Sequence, residues 1–427
     1  MNILFASEYY HPFTPGGSPW SIRELAEELV RRGHSVTVVT PNYGAPAEET
    51  LGGVAVRRFP FWRRLPPGPG MAPGRDLASP RFHWRFYRAV RAVARAAGAE
   101  VIHAQDKHAL VGTYFAARRL GRPIFLTLRD TGLICPIVTC LLRHDFVPDD
   151  CSLVKLQREC ASFFLDHYIA RGRLRRARVR LNLAVLYVDA WLKSFLIRRL
   201  DGLVSVSRGL LEIYLRAGRG RREGAQVVYT LPPPERPADP AAVAALRARL
   251  GLEGKRVVLY LGKLSLGKGG PVFLAAAERV ARRHADAVFL VAGPDPPASV
   301  PAGVDLRWIG RRSHEEVQAL YGAADVVVLP AVGPEALSRV PLEAAVAERP
   351  TVGARAGGIP EEIVDGETGR LVPRNDPHAL AAALQELLAD EALRAAMGRN
   401  ARHFVAKRFA PDLVVQSLLE VYGAAGR

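Results

Sequence analysis

Short apolar segments alternate with helical patterns along the whole chain, and this alternation restricts the fold more than any other feature. Strand-like runs at residues 2–7 and 35–40 enclose an amphipathic helical pattern over 21–32, which Gly33 ends. Strands that alternate with helices predict parallel sheets with helices packed on their faces. The fold class is therefore α/β.

A proline-rich segment at residues 230–237 separates two such α/β halves, and 427 residues are too many for one ordinary core. We predict a Rossmann-like domain over 1–230 with an insertion at about 131–200, and a second over 237–410. A C-terminal helix over 411–427 is expected to pack back on domain one. The strands expected in the second half are 256–261, 287–291, 306–309, 326–329 and 351–353.

Composition indicates a globular protein, with 49% apolar residues and a mean hydropathy of +0.03. We find no signal peptide pattern and no apolar run long enough to span a membrane, so we expect a cytoplasmic protein. The net charge is +17, and most of the excess lies in residues 1–200, with a dense arginine run at 171–180. No nucleic-acid module accompanies that charge. An anionic membrane surface, an anionic acceptor or a merely solvated face remain open.

Two glutamates, Glu335 and Glu343, follow the apolar run at residues 325–329 and are separated by seven residues. We expect Glu335 in the loop after a strand and Glu343 two turns into the next helix. The helix start between them carries amides without intrahelical partners and a partial positive charge. This arrangement suits a diphosphate with hydroxyl-bearing groups on either side.

Two further motifs follow within about forty residues of this glutamate pair. Residues 357–363 read Gly-Gly-Ile-Pro-Glu-Glu-Ile, and residues 366–372 read Gly-Glu-Thr-Gly-Arg-Leu-Val. The E-x7-E pair, the G-G-x-P-E motif and the G-x-T-G-x-L-V turn occur in this order in the donor-binding half of retaining glycosyltransferases of family 4. The chain resembles that family over nearly its full length, most strongly over residues 256–373.

The resemblance implies a GT-B fold, in which two doubly wound Rossmann-like domains face an interdomain cleft. It also implies that Glu343 binds the ribose hydroxyls and Glu335 the hydroxyls of the donor sugar. The amides near Ala336, Leu337 and Ser338 would support the phosphate and the sugar. In this family the acceptor attacks on the face from which the phosphate departs, so neither glutamate is assigned as a covalent nucleophile.

A glycine-rich turn with two lysines, Lys263 and Lys268, follows the first strand of the second half. Such a turn before a helix start is a reasonable clamp for a diphosphate. In the family this position usually holds an arginine and a lysine; Lys268 matches, and Lys263 stands where arginine is usual. Lysine keeps the charge but lacks the bidentate fork of arginine.

Two positions in the first half match or depart from the family. Gly16 and Gly17 resemble the glycine loop that approaches the donor. Arg129 precedes Asp130 where many members have His-Asp, with the histidine near the sixth carbon of the donor sugar. Arg129 either donates hydrogen bonds or pairs with Asp130, or it binds an anionic group on the donor or the acceptor. The neighbouring His103, Gln105, Asp106 and His108 follow another strand end and are expected near the cleft, and Ser207 either lies near it or caps a helix.

All four cysteines fall within 26 residues of the insertion: Cys135, Cys140, Cys151 and Cys160. Their spacing matches no standard zinc-finger pattern, and disulfides are unexpected in a cytosolic chain. A structural zinc site and a loop with packed thiols both remain open.

We therefore expect a retaining, metal-independent hexosyltransferase, with Glu335, Lys268, Arg129 and Asp130 as its catalytic positions. It needs no cofactor: no D-x-D motif occurs, and lysines with helix amides can stabilise the leaving diphosphate. The expected partners are a nucleotide diphosphate sugar, a carbohydrate or lipid-linked acceptor, and the inner face of the cell membrane, but not nucleic acid. Surface polysaccharide or glycolipid synthesis is the expected context. The alternatives are a non-catalytic nucleotide-sugar-binding protein and a nucleotide-sugar epimerase.

Overall fold

A computed structural model describes residues 1–144, 147–149, 151–168, 172–233 and 238–424. The chain forms two compact units. The N-terminal unit comprises Met1–Leu231 together with Pro411–Arg427, and the C-terminal unit comprises Pro232–Ala410. Four residues of the proline-rich segment, 234–237, and Arg171 of the basic run lie outside the described residues.

Fourteen strands are present in the described part of the chain. They are β1 Asn2–Ala6, β2 Ser35–Asn42, β3 Glu48–Leu51, β4 Val54–Pro60, β5 Val101–Ala104, β6 Ile124–Leu128, β7 Gly202–Ser205, β8 Ala225–Val227, β9 Arg256–Leu261, β10 Ala287–Ala292, β11 Asp305–Trp308, β12 Val326–Leu329, β13 Thr351–Ala354 and β14 Gly369–Val372.

The described residues also form fifteen α-helices. They are α1 Ser18–Arg31, α2 Gly74–Leu77, α3 Pro80–Ala96, α4 Leu110–Leu120, α5 Leu153–Lys155, α6 Ala161–Tyr168, α7 Arg173–Ile197, α8 Arg208–Arg216, α9 Pro240–Arg249, α10 Gly270–Ala281, α11 His314–Ala323, α12 Arg339–Val346, α13 Pro377–Ala389, α14 Glu391–Arg408 and α15 Pro411–Ala424. A π-helix, Leu156–Cys160, joins α5 to α6, and short 3-10 turns lie at Thr139–Leu142 and Ile359–Glu361.

The N-terminal unit contains an eight-stranded sheet in the order β3-β4-β2-β1-β5-β6-β7-β8. All neighbouring pairs are parallel except the hairpin β3–β4. Ile3 pairs with Val36 on one side and Val101 on the other. Because β1 lies between β2 and β5, the strand order reverses beside it, and this is where doubly wound sheets open a ligand crevice.

Helix α15 completes the core of the N-terminal unit although it follows the whole C-terminal unit in sequence. Val414, Leu418 and Tyr422 are buried in one apolar cluster with residues of β1, β2 and α1. A salt bridge between Arg32 and Asp412 joins the end of α1 to the start of α15, at 2.5 Å. The first unit is therefore assembled from two distant segments of the chain.

The C-terminal unit contains a six-stranded, fully parallel sheet in the order β11-β10-β9-β12-β13-β14. Its core is formed by apolar side chains of the central strands packed on α9 and α11. β9 and β12 are adjacent, so the loops that follow them emerge at the same edge of the sheet. Both units are thus Rossmann-like α/β sheets, as the alternating pattern predicted.

Candidate functional site

The loops that follow β9 and β12 lie against each other at the carboxyl ends of these strands. The amides of Val332 and Gly333 both donate to the carbonyl oxygen of Gly267, at 3.0 and 2.9 Å. Gly269 has a φ of 74°, and a Cβ there would lie 1.8 Å from the carbonyl oxygen of Pro330. Only glycine fits this contact, so the two loops are held as one surface.

Lys268 and Glu335 meet on this surface. The Lys268 Nζ lies 2.6 Å from Glu335 Oε1, and the lysine side chain is 48% exposed. The hydroxyl of Tyr260, beneath the loop, lies 2.9 Å from the carbonyl oxygen of Lys263 and 3.1 Å from that of Lys268. Burial, with a smaller effect of Glu335, raises the pKa of Tyr260, so the hydroxyl stays protonated as a donor. The pair is thus held in position, with the Lys268 side chain accessible and the Glu335 side chain 16% exposed.

The backbone of Glu335 is fixed by the G-G-x-P-E motif. The amide of Gly358 donates to the carbonyl oxygen of Glu335 at 2.7 Å. Gly357 has a φ of 58°, and a Cβ there would lie 2.1 Å from the same oxygen. The two glycines therefore permit a close backbone approach that places the Glu335 carboxylate beside Lys268.

Glu343 is buried within α12, 7% exposed, and both of its carboxylate oxygens are engaged. Oε1 accepts from Arg339 Nε at 3.0 Å, and Oε2 accepts from the Tyr321 hydroxyl at 2.9 Å. Each carboxylate oxygen has a second lone pair, so the group can still accept a hydroxyl. Its orientation is set by these two partners.

The start of α12 differs from the expectation that its amides are available to a phosphate. Ser338 is the N-cap, and its side chain accepts from the Val340 amide at 3.2 Å. The Ser338 amide donates to Glu362 Oε2 at 3.0 Å. Burial raises the pKa of Glu362 well above its ordinary value, with Glu335 adding to the effect. Glu362 belongs to the motif at 357–363 but was given no role from sequence.

Lys263 lies on the same loop in a looser environment. Its Nζ is 4.0 Å from Asp295 Oδ2, and both side chains are more than 60% exposed. Such a pair contributes little to stability, so the ammonium can exchange this carboxylate for another anion.

In the N-terminal unit the glycine loop precedes α1. Gly16 has a φ of 133°, a conformation that L side chains rarely adopt, and Gly17 is the N-cap residue of α1. Their neighbours Pro15 and Ser18 line a cavity of about 320 Å³ within this unit. Sequence analysis named the two glycines for contact with the donor, which stays a prediction, and did not predict the cavity.

Arg129 lines that cavity and is bound to Gln105 instead of Asp130. Its Nε donates to the Gln105 carbonyl oxygen at 3.0 Å, and a second guanidinium nitrogen donates to Gln105 Oε1 at 2.8 Å. Burial lowers the pKa of Arg129 to about 10, an effect that Asp106 partly offsets. Of the alternatives left open by the sequence, Arg129 donates hydrogen bonds, to the two acceptors of Gln105, and does not pair with Asp130.

Asp130 pairs with Lys107. The Lys107 Nζ lies 2.8 Å from Asp130 Oδ2, and the Gly132 amide donates to Oδ1 at 2.7 Å. Burial alone would raise the pKa of Asp130, but Lys107 and these hydrogen bonds bring it below its ordinary value. Asp130 is therefore ionised at neutral pH.

Glu8, Asp106 and His108 are among the further titratable groups that line the cavity. Asp106 is satisfied, since it accepts from the Ser7 hydroxyl at 2.9 Å and from the Glu8 amide at 2.6 Å. Glu8 Oε2 is buried without a hydrogen-bond partner among the described residues. Burial, and secondarily Asp106, raises the pKa of Glu8 well above its ordinary value. An uncommitted carboxyl group therefore faces the cavity.

Helix α7, from the insertion, also lines the cavity, with Asp189 and Lys193. Lys193 Nζ lies 2.6 Å from Asp189 Oδ2 and 3.4 Å from His108 Nδ1. His108 Nε2 lies 3.8 Å from Glu8 Oε2. Burial, then Lys193 and Lys107, lowers the pKa of His108 well below its usual value, so this imidazole is neutral.

His103 and Ser207 have structural roles, and for Ser207 capping was one of the two alternatives left open by the sequence. His103 is fully buried in the core, with Tyr422 Oη 2.7 Å from Nδ1 and Thr127 Oγ1 2.8 Å from Nε2. Burial lowers its pKa to about 3. Ser207 is the N-cap of α8, where its side chain accepts from the Leu210 amide at 3.1 Å.

The four cysteines are free thiols. Among the residues that the structure describes, no group of three or more His, Cys, Asp or Glu side chains is arranged to hold a metal ion. The suggested structural zinc site is therefore not formed by these side chains. Burial raises the pKa of Cys135 to about 11 and that of Cys140 to about 12, as expected for packed thiols.

The structure thus gathers the predicted residues into two groups. Lys268 and Glu335 touch in the C-terminal unit, while Arg129 and Asp130 line one cavity in the N-terminal unit. Sequence analysis missed Glu8, Lys107 and Lys193. A signal was available for the lysines: the chain has only seven, and two of them line this cavity.

The chain matches the family described as glycosyl transferase 4-like domain over residues 16–230, half of its length. Residues 243–404 match the family described as glycosyl transferases group 1. Among the described helices, none has both the length and the apolar character that crossing a lipid bilayer demands.

Several curated proteins are similar over part of the chain. A D-inositol 3-phosphate glycosyltransferase of Corynebacterium glutamicum is 34% identical over 39% of this chain and 43% of its own length. An alpha-D-kanosaminyltransferase of Streptomyces kanamyceticus is 33% identical over 43% of this chain and 49% of its own length. The matched stretch spans about half the length of these relatives.

Solved structures resemble the whole chain at lower identity. Sucrose-phosphate synthase from Thermosynechococcus elongatus has a TM-score of 0.69 and 21% identity, covering 99% of this chain and 98% of that one. Anabaena HepE in complex with UDP-glucose has a TM-score of 0.67 and 20% identity, covering 99% and 100%. These similarities establish the GT-B class of fold. The match over residues 16–230 shows that this chain belongs to the glycosyl transferase 4-like family.

Proposed function

We propose that this protein is a retaining glycosyltransferase that moves a sugar from a nucleotide diphosphate to a carbohydrate or lipid-linked acceptor. The observation that carries this proposal is the Lys268–Glu335 pair, at 2.6 Å, on two touching loops at the carboxyl ends of adjacent parallel strands. Ligands of doubly wound sheets bind at such strand ends. Relatives with this sequence pattern are named glycosyltransferases.

In the proposed donor complex the diphosphate replaces Glu335 as the partner of Lys268. Lys263, which is exposed and loosely paired, is the second cation. The released Glu335 carboxylate then accepts hydrogen bonds from hydroxyls of the donor sugar. Glu343 binds the ribose hydroxyls with its remaining lone pairs, held in place by Arg339 and Tyr321. Amides near Ala336 and Leu337 support the sugar.

The proposed chemistry is substitution at the anomeric carbon with retention of configuration. The bond between that carbon and the diphosphate oxygen breaks, and its electron pair leaves with the nucleotide. The acceptor oxygen bonds to the same face, and its proton passes to the departing phosphate. Lys263 and Lys268 stabilise the negative charge that develops on the leaving group. Two ammonium groups perform the role that a divalent cation has in other transferases.

We further propose that the acceptor binds in the cavity of the N-terminal unit, beside Gly16 and Gly17. The uncommitted Glu8 carboxyl and the ionised Asp130 suit acceptor hydroxyls, and Arg129 reads an anionic group on donor or acceptor. The cavity volume of about 320 Å³ is at the lower end for small-molecule sites. A peripheral position on the inner face of a membrane is part of the same proposal.

The proposal is tested by incubating the protein with UDP-, ADP- and GDP-sugars and measuring release of the nucleotide diphosphate. We expect release with one donor class, and a loss of about 100- to 1,000-fold in kcat/KM for Lys268→Ala. Lys407→Ala is the matched control, since that lysine is exposed on α14 and distant in sequence from the loop.

The remaining outcomes separate the alternatives. A donor that binds, as judged by thermal shift, but is never cleaved identifies a binding protein. Conversion of the donor sugar to its epimer, without transfer to any acceptor, identifies an epimerase. Equal release by Lys268→Ala and Lys407→Ala contradicts the assignment of the leaving-group contact.

A further inference from the structure

Helix α7 has an apolar face that no described element covers. Its inner side packs into the N-terminal unit through Leu183, Tyr187 and Ile197. On its outer side six apolar side chains are between 42% and 66% exposed. They are Leu181, Val185, Val188, Trp191, Leu192 and Phe195. We call these six residues the α7 face.

The spacing of these residues makes the face continuous. Positions 181, 185, 188, 192 and 195 are separated alternately by four and three residues, so they form one stripe on the helix. The Trp191 ring packs edge-on against Phe195, with 4.8 Å between ring centroids. Contiguous exposed apolar patches of this kind mark interaction sites in soluble proteins.

Charge at the two ends of the α7 face narrows the choice of partner. Arg173, Arg175 and Arg178 are exposed before the stripe, and Arg198 and Arg199 are exposed after it. Asp189 is the single acidic residue between 173 and 199, and it points inward to Lys193. An apolar stripe between clusters of arginine, without an acidic residue on the face, complements an anionic lipid surface.

The same charges oppose self-association through this face. In a parallel pair of α7 helices each arginine cluster would meet its own copy. In an antiparallel pair the cluster at 173–178 would meet the one at 198–199. Both arrangements place like charges together, and the stripe offers no carboxylate to offset them.

We propose that the α7 face is a membrane-docking surface that binds anionic phospholipid with α7 lying in the plane of the interface. The six apolar side chains enter the boundary between headgroups and acyl chains, and the flanking arginines contact lipid phosphates. Trp191 takes the interfacial position for which indole rings are favoured. Docking by this face needs no donor, no acceptor and no catalysis.

A consequence of this docking follows from the two sides of α7. Its inner side supplies Leu186, Asp189 and Lys193 to the cavity in which the acceptor is proposed to bind. Only the thickness of one helix, about 10 Å, separates the docked face from that cavity. The position of the cavity therefore suits an acceptor that is anchored in the membrane. This inference about the acceptor rests on the proposed function, whereas the docking of α7 does not.

The full-length protein is sedimented with vesicles of pure phosphatidylcholine and with vesicles containing 30% phosphatidylglycerol. We expect binding to the anionic vesicles only, and weaker binding at high salt. Leu181→Gln with Leu192→Gln is expected to weaken binding at least tenfold, because two side chains no longer enter the apolar region. Leu413→Gln is the control, since Leu413 is 52% exposed on α15 and Leu192 55% exposed on α7.

A second pair of variants tests the charge. Arg175→Gln with Arg178→Gln should also reduce binding to anionic vesicles several-fold, whereas Arg399→Gln on α14 should not. Circular dichroism is used to check that each variant keeps the wild-type unfolding temperature. In addition, Trp191→Phe should abolish most of the vesicle-induced blue shift in tryptophan fluorescence while binding persists.

Three results would overturn the docking proposal. The first is equal binding by wild type and Leu181→Gln with Leu192→Gln, which would place the lipid contact elsewhere. The second is a concentration-dependent dimer in light scattering that this double variant abolishes, which would make the face an interface between copies. The third is no vesicle binding at all. Donor cleavage measured without vesicles decides the proposed function separately.

Discussion

The two groups of candidate residues differ in how their charges are held. In the C-terminal unit the Lys268–Glu335 pair lies on glycine-rich loops, and the lysine is about half exposed. In the N-terminal unit the side chains of Glu8, His108, Asp189 and Lys193 are each less than 20% exposed, although Asp130 is 57% exposed, and burial moves the pKa values of Glu8 and His108. The first arrangement can exchange one anion for another. The second is fixed before any ligand arrives.

This difference is the one expected if the two units handle different ligands. An exposed lysine that can exchange its carboxylate partner suits a diphosphate that must be bound and released in every turnover. A buried, preorganised set of hydrogen-bonding groups suits selection among hydroxylated molecules, since an unsatisfied buried group penalises the wrong one. Variants that disturb one region and leave the other intact test this division.

The largest effect is expected from Gly357→Ala. The new Cβ would lie 2.1 Å from the Glu335 carbonyl oxygen, and the backbone has a φ of 58°. We expect donor cleavage to fall at least 100-fold and unfolding to become several kcal/mol easier, measured by denaturant titration.

Gly254→Ala is the matched control for that change. Gly254 has a similar φ of 68°, but a Cβ there meets nothing within 4 Å. It should cost only the strain of the left-handed conformation, about 1–2 kcal/mol, and leave cleavage unchanged. If Gly357→Ala and Gly254→Ala reduced donor cleavage equally, the close approach of Gly357 to Glu335 would not matter for activity.

Tyr422→Phe is expected to have the next largest effect, confined to the N-terminal unit. It removes the hydroxyl beside His103 Nδ1 and leaves that buried nitrogen without its partner. Unfolding should become about 1–3 kcal/mol easier. Glu420→Gln, on the exposed side of the same helix, is the control. An unaltered unfolding free energy for Tyr422→Phe would show that the α15 contact is dispensable.

Glu8→Gln should have an effect that depends on pH. The pKa of Glu8 is raised in the folded state above about 4.5, so folding favours the protonated carboxyl. Below pH 4.5 the carboxyl is protonated in both the folded and the unfolded state, so it does not destabilise the wild type. The free energy of unfolding then falls as the pH rises toward the folded pKa, because only the unfolded state ionises freely. The amide variant cannot ionise, so it should gain stability over wild type at pH 8 but not at pH 4.5.

Thermal unfolding at the two pH values measures this difference. Glu253→Gln, an exposed residue in the C-terminal unit, should show no such change with pH. A difference between Glu8→Gln and wild type that is the same at pH 4.5 and pH 8 would mean that the Glu8 carboxyl is solvated.

Tyr260→Phe is expected to have the smallest effect. The hydroxyl that bridges the carbonyl oxygens of Lys263 and Lys268 is lost, which should cost about 1 kcal/mol and raise the donor KM a few-fold. Tyr10→Phe is the control, because the Tyr10 hydroxyl is buried without a hydrogen-bond partner among the described residues. Donor titration of both variants at fixed acceptor concentration gives the comparison.

Sequence analysis predicted the regular parts of the fold because each carried a strong local pattern. β9 and β12 begin and end at the predicted residues, because each is a short run made mostly of valine and leucine. Four strands were missed: β3, β4, β8 and β14. In β3 and β14 the sequences Glu-Glu-Thr-Leu and Gly-Arg-Leu-Val show no clear alternation. β3 forms only because β4 offers it an antiparallel edge, and such pairing is a tertiary effect.

The same contrast applies to the two candidate sites. Lys268 and Glu335 belong to motifs with fixed spacing, so their roles could be proposed before their contact was seen. Glu8, Lys107 and Lys193 come from three separate parts of the chain, and only the folded sheet and α7 bring them to one cavity. The partner of the Ser338 amide was also out of reach, because nothing in the local pattern reveals that Glu362 turns toward it.

The placement of α15 in the first core has a consequence for how the molecule is made and engineered. A ribosome must translate the whole C-terminal unit before residues 411–424 can close the apolar cluster around β1 and α1. Until then the apolar side chains that α15 will cover stay exposed in the nascent N-terminal half, where chaperones can bind them. A chimera that exchanges halves with a relative must therefore carry this last helix along with the first half.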